Sequence, residues 1–296
     1  MEKTAESVAA ALRKTAEENG HLKGILDAFG GILIEQARWK AELTDSCRHD
    51  VTPDPERFIK GVPLADKTAL IRLGPLWRTA AERLLAPMME GFPKIRGELV
   101  RLNAAIQRGN FSPDLFMSAA FGDREKEACE IARGMGIEPE ILVFALTRIA
   151  GPVVEKRAEI LHSLVKDLSW NKGYCPVCGS LPVLSLLRDK EGQRWLRCGF
   201  CSVTWRFHRT TCPFCDTQEP DDGEIFFVED RPQERIEACH KCKRYLIGID
   251  ARSQVEETLP EVAEIGLMHL DAIAQEKGFM PLVQQVNLVA RSSTAA

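Results

Sequence analysis

The sequence contains no long apolar run. No stretch of the 296-residue chain approaches the length of about 18 uninterrupted apolar residues that a membrane-spanning helix needs. The N-terminal sequence, MEKTAESVAAALRKTAEENG, carries a charge every few positions and lacks the apolar centre of a secretory signal. Together these two absences predict a cytoplasmic protein that does not insert into a membrane.

A charge excess is missing as well. The chain has 39 Lys and Arg against 43 Asp and Glu, which gives a formal net charge of −4. Residues 171–250 carry 12 charges of each sign. Proteins that bind nucleic acid through its phosphates usually present a basic face. The charge balance therefore predicts that nucleic acid is not a partner.

Cysteine, in contrast, is abundant. Eight of the ten cysteines fall in four Cys-x-x-Cys pairs, which are Cys175/Cys178, Cys198/Cys201, Cys212/Cys215 and Cys239/Cys242. Disulfides are rare in the cytoplasm, so pairs of this kind indicate metal ligation or redox chemistry. Each pair places two sulfurs on one side of a tight turn, called a knuckle below, and two knuckles supply a tetrahedral site.

The spacing between the knuckles predicts how they combine. The intervening segments have 19, 10 and 23 residues. A strand, a turn and a second strand fit the two long segments. The short segment, SVTWRFHRTT (202–211), has no Gly, Pro, Asn or Asp to form a turn, so we predict an extended strand of roughly 33 Å that keeps two sites apart. One predicted site is Cys175, Cys178, Cys198 and Cys201, and the other is Cys212, Cys215, Cys239 and Cys242.

Hydrophobic periodicity changes near residue 170. Apolar residues recur at helical spacing before this point, whereas short β-rich segments follow it. We predict an α+β protein with a helical domain (1–170), a tandem rubredoxin-like or zinc-ribbon β domain (171–250), and a C-terminal helix with a mobile tail (251–296). The first ribbon would comprise residues 171–211 and the second 212–250.

Four thiolates suit Zn²⁺ and rubredoxin-type iron alike, so the donor atoms leave the metal open. They also leave no coordination position for water, which argues against metal-assisted hydrolysis.

The remaining alternatives for the function are a rubredoxin-like electron-transfer protein, a zinc-ribbon nucleic-acid-binding protein, a dithiol oxidoreductase and a protein–protein adaptor. The matched knuckles and the neutral charge favour the adaptor. His208 and His240 are predicted to lie outside both ligand sets.

Three segments carry a resemblance to a known family. They are YCPVCGS (174–180), RWLRCGFCSVTWRFHRTTCPFC (194–215) and EACHKCKRYLIGID (237–250). Their order and spacing resemble the FdhE family of formate dehydrogenase accessory proteins, and LDAIAQEKGF (270–279) is similar to the family's sequence after the ribbons. The chain resembles a divergent member, because Arg206 follows Trp205 where the family commonly has His.

The resemblance implies a function as well as a fold. It implies a cytoplasmic maturation factor, not itself an enzyme, that is required to form an active respiratory, molybdenum-dependent formate dehydrogenase. Such a factor is expected to act as a chaperone that binds the catalytic subunit before export by the twin-arginine route. The resemblance also favours iron over zinc, with all eight paired cysteines as metal ligands.

Overall fold

The computed structural model describes residues 4–43, 52–122, 124–228, 231–252 and 259–281. These residues fall into two compact units. The helical unit contains the described residues between 2 and 48 and between 67 and 157. The ribbon unit contains those between 49 and 66 and between 158 and 284.

The helical unit is built from helices that bury one apolar face each. Its helices are α1 (Ala5–Glu18), α2 (Lys23–Glu42), α4 (Lys67–Ile71), α5 (Leu76–Gly91), α6 (Arg96–Arg108), α7 (Pro113–Phe121), α8 (Glu125–Gly134) and most of α9 (Pro139–Ser163). Local sequence sets several helix starts: the Thr4 hydroxyl accepts from the Ser7 N–H, and Ser112 caps α7 with Pro113 in the first turn. The core contains Ile32, Leu84, Met88, Leu99, Leu102, Phe116, Leu142 and Leu146, all buried.

The ribbon unit contains a six-stranded sheet. Its elements are α3 (Pro55–Ile59), β1 (Pro182–Arg188), β2 (Gln193–Cys198), β3 (Thr204–Arg206), β4 (Gly223–Val228), β5 (Arg231–Cys239), β6 (Tyr245–Asp250), α10 (Pro260–Gly266) and α11 (Met268–Glu276). The strand order is β3-β2-β1-β6-β5-β4. Neighbours are antiparallel except β1 and β6, which are parallel. Each ribbon is thus a three-stranded meander, and the first strand of one joins the last strand of the other.

The C-terminal helices complete the core of this unit. Leu267, Leu270 and Ala274 pack in one apolar cluster with the strand residues Leu184, Leu186, Ile236, Tyr245 and Ile249. This arrangement confirms the predicted fold class, with a helical N-terminal part, ribbons and a C-terminal helix. The predicted mobile tail includes residues 282–296, which lie outside the described residues. No described helix is both long and apolar enough to cross a membrane.

The predicted strand over 202–211 is wrong in its length, because β3 covers only Thr204–Arg206. Backbone pairing with β2 stops after the Phe207 N–H donates to the Arg194 carbonyl. Beyond it, the Arg194 guanidinium donates to the carbonyls of His208 and Thr211 at 3.1 and 2.8 Å. A buried side chain, and not a strand ladder, therefore holds the second half of this connection.

The unit boundaries also differ from the boundary predicted at residue 170. The segment that follows α3 pairs with the first knuckle, since the Leu64 and Ala65 N–H groups donate to the carbonyls of Pro176 and Val177 at 3.1 and 2.9 Å. The Tyr174 hydroxyl donates to the Gly61 carbonyl at 2.7 Å. Such backbone pairing leaves no mark on composition, which is why the sequence placed this segment with the other helices.

Candidate metal centres

All four knuckles have the same backbone turn. The N–H of each first cysteine donates to the carbonyl five residues later, as from Cys175 to Ser180 and from Cys239 to Arg244. The residue after each second cysteine has a positive φ, and these residues are Gly179 (71°), Ser202 (63°), Asp216 (55°) and Lys243 (58°). Gly179 is the one glycine among these four residues, and glycine reaches this conformation without steric cost.

The first centre brings together Cys175, Cys178, Cys198 and Cys201, as the spacing predicted. The Sγ–Sγ distances are 3.6 Å between Cys175 and Cys201, 3.4 Å between Cys178 and Cys198, and 3.5 Å between Cys178 and Cys201. A tetrahedron with metal–sulfur bonds of about 2.3 Å has edges of about 3.8 Å. All four cysteines are buried. This donor set fits one tetrahedral, thiophilic metal ion.

The second centre consists of Cys212, Cys215, Cys239 and Cys242. Its Sγ atoms lie 3.8 Å apart for Cys212 and Cys242 and 3.7 Å apart for Cys215 and Cys239. These distances fit the same tetrahedron, but only Cys239 is buried and the other three cysteines are partly exposed. The two centres thus have the same donors and different access to solvent.

Burial makes the thiol protons of two cysteines in the first centre hard to lose without a compensating cation. It raises the pKa of Cys175 and of Cys201 well above the ordinary thiol value. In the second centre burial raises the pKa of Cys242 to about 11. A bound metal ion supplies the positive charge that such thiolates require.

Backbone N–H groups also point at the sulfurs. The N–H groups of Phe200 and Cys201 lie 3.3 and 3.4 Å from the Cys198 Sγ. Among the described residues, the two four-cysteine groups include neither His208 nor His240. The His240 ring contacts Glu224, with 2.8 Å between Nε2 and Oε2.

Comparisons with known proteins agree with this arrangement. Residues 174–209 match the family model described as the central domain of FdhE. An FdhE homologue of Aquifex aeolicus is 34% identical over 148 residues, which are 49% of this chain and 51% of the relative. A homologue of Haemophilus influenzae (strain PittGG) is 33% identical over 126 residues, or 41% of this chain and 40% of the relative. The chain thus aligns with about half or less of the length of these curated relatives.

A solved structure extends the likeness to the fold of the whole chain. The crystal structure of the FdhE protein from Pseudomonas aeruginosa has a TM-score of 0.66 and 19% identity, with 97% of this chain and 95% of that chain covered. The chain is thus similar to FdhE proteins in part of its sequence and in its fold. The family-model match includes the four cysteines of the first centre, which lie within residues 174–209.

One feature of the ribbon unit was missed by sequence reasoning. Glu237 on β5 accepts from Arg194 on β2 at 2.5 Å, from Arg235 at 2.7 Å and from the Ser185 hydroxyl at 3.0 Å. Burial alone would raise the pKa of Glu237, but the charges of Arg194 and Arg235 outweigh it and lower that pKa. The cluster ties the first ribbon to the second. Its sequence signal was limited to charged residues in segments that the knuckle spacing had assigned to strands.

Proposed function

We propose that this chain is a cytoplasmic accessory protein for the formation of active respiratory, molybdenum-dependent formate dehydrogenase. In this proposal it holds the catalytic subunit before export and converts no substrate of its own. The observation that carries the proposal is the pair of four-cysteine centres in an FdhE-type fold. The relatives are named as FdhE proteins and homologues, and the client is what the resemblance to that family implies.

We further propose that the eight paired cysteines hold two metal ions, and that the ions are iron. The donor atoms fit rubredoxin-type iron and zinc equally, and family resemblance is what favours iron. Bound iron would supply one-electron redox chemistry at each centre. The protein's own contribution is to fix four sulfurs in a tetrahedron and to direct backbone N–H groups at them, as at Cys198.

The donor count supports the proposal of a role without metal-assisted hydrolysis. Four protein sulfurs complete each coordination sphere, so no position is left for a water molecule or a substrate. This supports a binding function over hydrolysis. The neutral charge of residues 171–250 likewise gives no support to the alternative of a zinc-ribbon nucleic-acid-binding protein.

The alternative of a rubredoxin-like electron-transfer protein has one observation in its favour. Three cysteines of the second centre are partly exposed, and electron transfer between proteins requires a centre near the surface. The two functions are separable, because an electron carrier would be reduced and reoxidised in each cycle whereas a holding protein would not.

Deletion of the gene tests the proposal directly. Respiratory formate oxidation should be lost while the dehydrogenase transcript stays at its normal level. The chain and the catalytic subunit should co-purify from the cytoplasm and should not co-purify from the mature membrane complex. Normal dehydrogenase activity in a deletion strain with no second copy would refute the assignment. Formate oxidation that is restored in the deletion strain by an artificial electron acceptor would favour the electron-transfer alternative.

A further inference from the structure

The two outer strands of the sheet differ in how open they are to a further strand. Within the described residues, neither β3 nor β4 pairs with a strand on its outer side. β3 is only three residues long and ends on the exposed Arg206, and short length and charge both protect a sheet edge. β4 is six residues long, and its Ile225 and Phe227 are 50% and 58% exposed. β4 therefore lacks the protection that β3 has.

The chain around β4 is strongly acidic. Residues 216–230 contain seven Asp and Glu and no Lys or Arg. Glu219 and Asp221 lie just before the strand, are exposed, and form no ion pair with a described residue. The edge thus offers two apolar side chains on one face, with negative charge at the end where the strand begins.

We propose that the β4 edge is a docking site for an extended segment of a partner protein. The segment would pair with β4 as a seventh strand, place apolar side chains at alternate positions beside Ile225 and Phe227, and place Lys or Arg near Glu219 and Asp221. Backbone hydrogen bonds supply the affinity of such pairing, and the alternate side chains supply the specificity. The inference rests on the proposed function, because the partner is the protein that the chain holds.

The position of β4 connects this docking site to the second metal centre. Gly223 at the start of β4 is the register partner of Cys239. The His240 N–H donates to the Asp222 carbonyl at 2.7 Å, and the His240 ring contacts Glu224. Loss of the second centre should therefore release the start of β4 and weaken docking.

A peptide titration tests the edge with the full, metal-loaded chain. The probe is a fluorescein-labelled peptide with Lys-Arg followed by alternating Val and Thr, and the control peptide has Glu-Glu in place of Lys-Arg. Fluorescence anisotropy should show at least about tenfold tighter binding of the basic peptide. Phe227→Lys should weaken that binding by about tenfold or more, because a charge blocks an edge. Val100→Lys, at an exposed apolar position of α6 (52%), is the matched control and should bind as the parent does.

A second variant tests the acidic residues that precede β4. The double substitution Glu219→Lys and Asp221→Lys changes only exposed side chains, and it should remove most of the preference for the basic peptide. Far-UV circular dichroism and a metal content equal to that of the parent verify folding of each variant. Equal binding of both peptides by the parent, or unchanged binding by Phe227→Lys, would overturn the proposal.

Other occupants of the edge are distinguishable. A dimer in light scattering that Phe227→Lys dissociates would show a second copy on the edge and would overturn the proposal. So would peptide binding that appears only after removal of residues 282–296, because the chain itself would then be the occupant.

A cross-linking experiment with the formate dehydrogenase catalytic subunit tests this inference separately from the proposed function. A photoreactive benzoylphenylalanine at position 227 should cross-link to co-expressed formate dehydrogenase catalytic subunit, and one at position 100 should not. Co-purification without cross-linking at 227 would overturn the docking site and leave the proposed function intact. Peptide binding without any co-purification would support the docking site and overturn the proposed function.

Discussion

The two ribbons have the same local structure and different surroundings. Both have paired knuckles with a left-handed residue after the second cysteine, and both continue as three antiparallel strands. The first centre is fully buried because residues 63–65 cover its first knuckle: Leu64 and Ala65 pair with Pro176 and Val177, and Pro63 lies against Gly179. The second centre is partly exposed. Local sequence therefore sets the coordination geometry, whereas distant segments set solvent access.

This difference suggests a division of labour between the centres. A buried tetrathiolate site mainly stabilises a small β-domain that has too little apolar core of its own. An exposed site is the one whose metal can exchange or respond to a partner. The largest difference between the two centres is expected when one cysteine is substituted in each centre in turn.

Cys198→Ser should be far more damaging than Cys215→Ser. A structural metal site contributes on the order of 10 kcal/mol of folding free energy, and Cys198 is buried at the junction of β2 and its knuckle. We expect Cys198→Ser to be insoluble or to lose its thermal transition, and Cys215→Ser to stay folded with one metal ion fewer. Metal analysis per chain and thermal unfolding are the measurements. Equal damage from both variants would contradict the division.

A second test concerns the packing that holds the two knuckle regions together. A Cβ on Gly173 would lie 2.0 Å from the Pro213 carbonyl oxygen, and this contact is with backbone that cannot rotate away. Gly173→Ala should therefore lower the free energy of unfolding by about 3 kcal/mol. Denaturant titration measures this loss.

Gly223→Ala is the control for this substitution. Its Cβ would find the nearest atom, the Pro220 carbonyl oxygen, at 3.8 Å, an ordinary contact. We expect a change within about 0.5 kcal/mol. If both alanine variants unfolded at the same denaturant concentration, the packing of Gly173 on Pro213 would not contribute to the free energy of unfolding.

Metal removal gives a kinetic test of the same comparison. A chelator in excess should remove metal from the purified chain in two phases, because exchange at the exposed centre requires less opening than exchange at the buried one. We expect the phases to differ by at least about tenfold in rate, equivalent to 1.4 kcal/mol of opening free energy. In Cys215→Ser the fast phase should be absent. A single phase with two equivalents would show that burial does not govern metal release.

The same contrast between local and distant determinants explains what the sequence could predict. The cysteine spacing predicted the grouping of all eight paired cysteines, because two sulfurs per knuckle and two knuckles per tetrahedron leave little freedom. The spacing predicted two strands between Cys215 and Cys239, but the residues of the second one, RPQERIEAC in β5, read as charged surface and do not mark its position. Its charge is tolerated because Glu237 meets Arg194, which is 43 residues away in the chain. No local pattern reveals such a partner.

The smallest expected effect concerns the residue that follows the second cysteine of each knuckle. In the first centre both of these residues have a positive φ, but one is Gly179 and the other is Ser202. A non-glycine residue pays about 1–2 kcal/mol for this conformation. Glycine avoids that cost and loses part of the gain through the greater entropy of its unfolded chain. Ser202→Gly should therefore raise the free energy of unfolding by about 0.5 kcal/mol, and Gly179→Ala should lower it by about 1–2 kcal/mol.

Denaturant titration of the metal-loaded chain measures both changes, and two ions per chain in each variant would confirm that the ligands are intact. A loss of stability in Ser202→Gly would mean that the serine side chain, and not its backbone conformation, is what the knuckle requires.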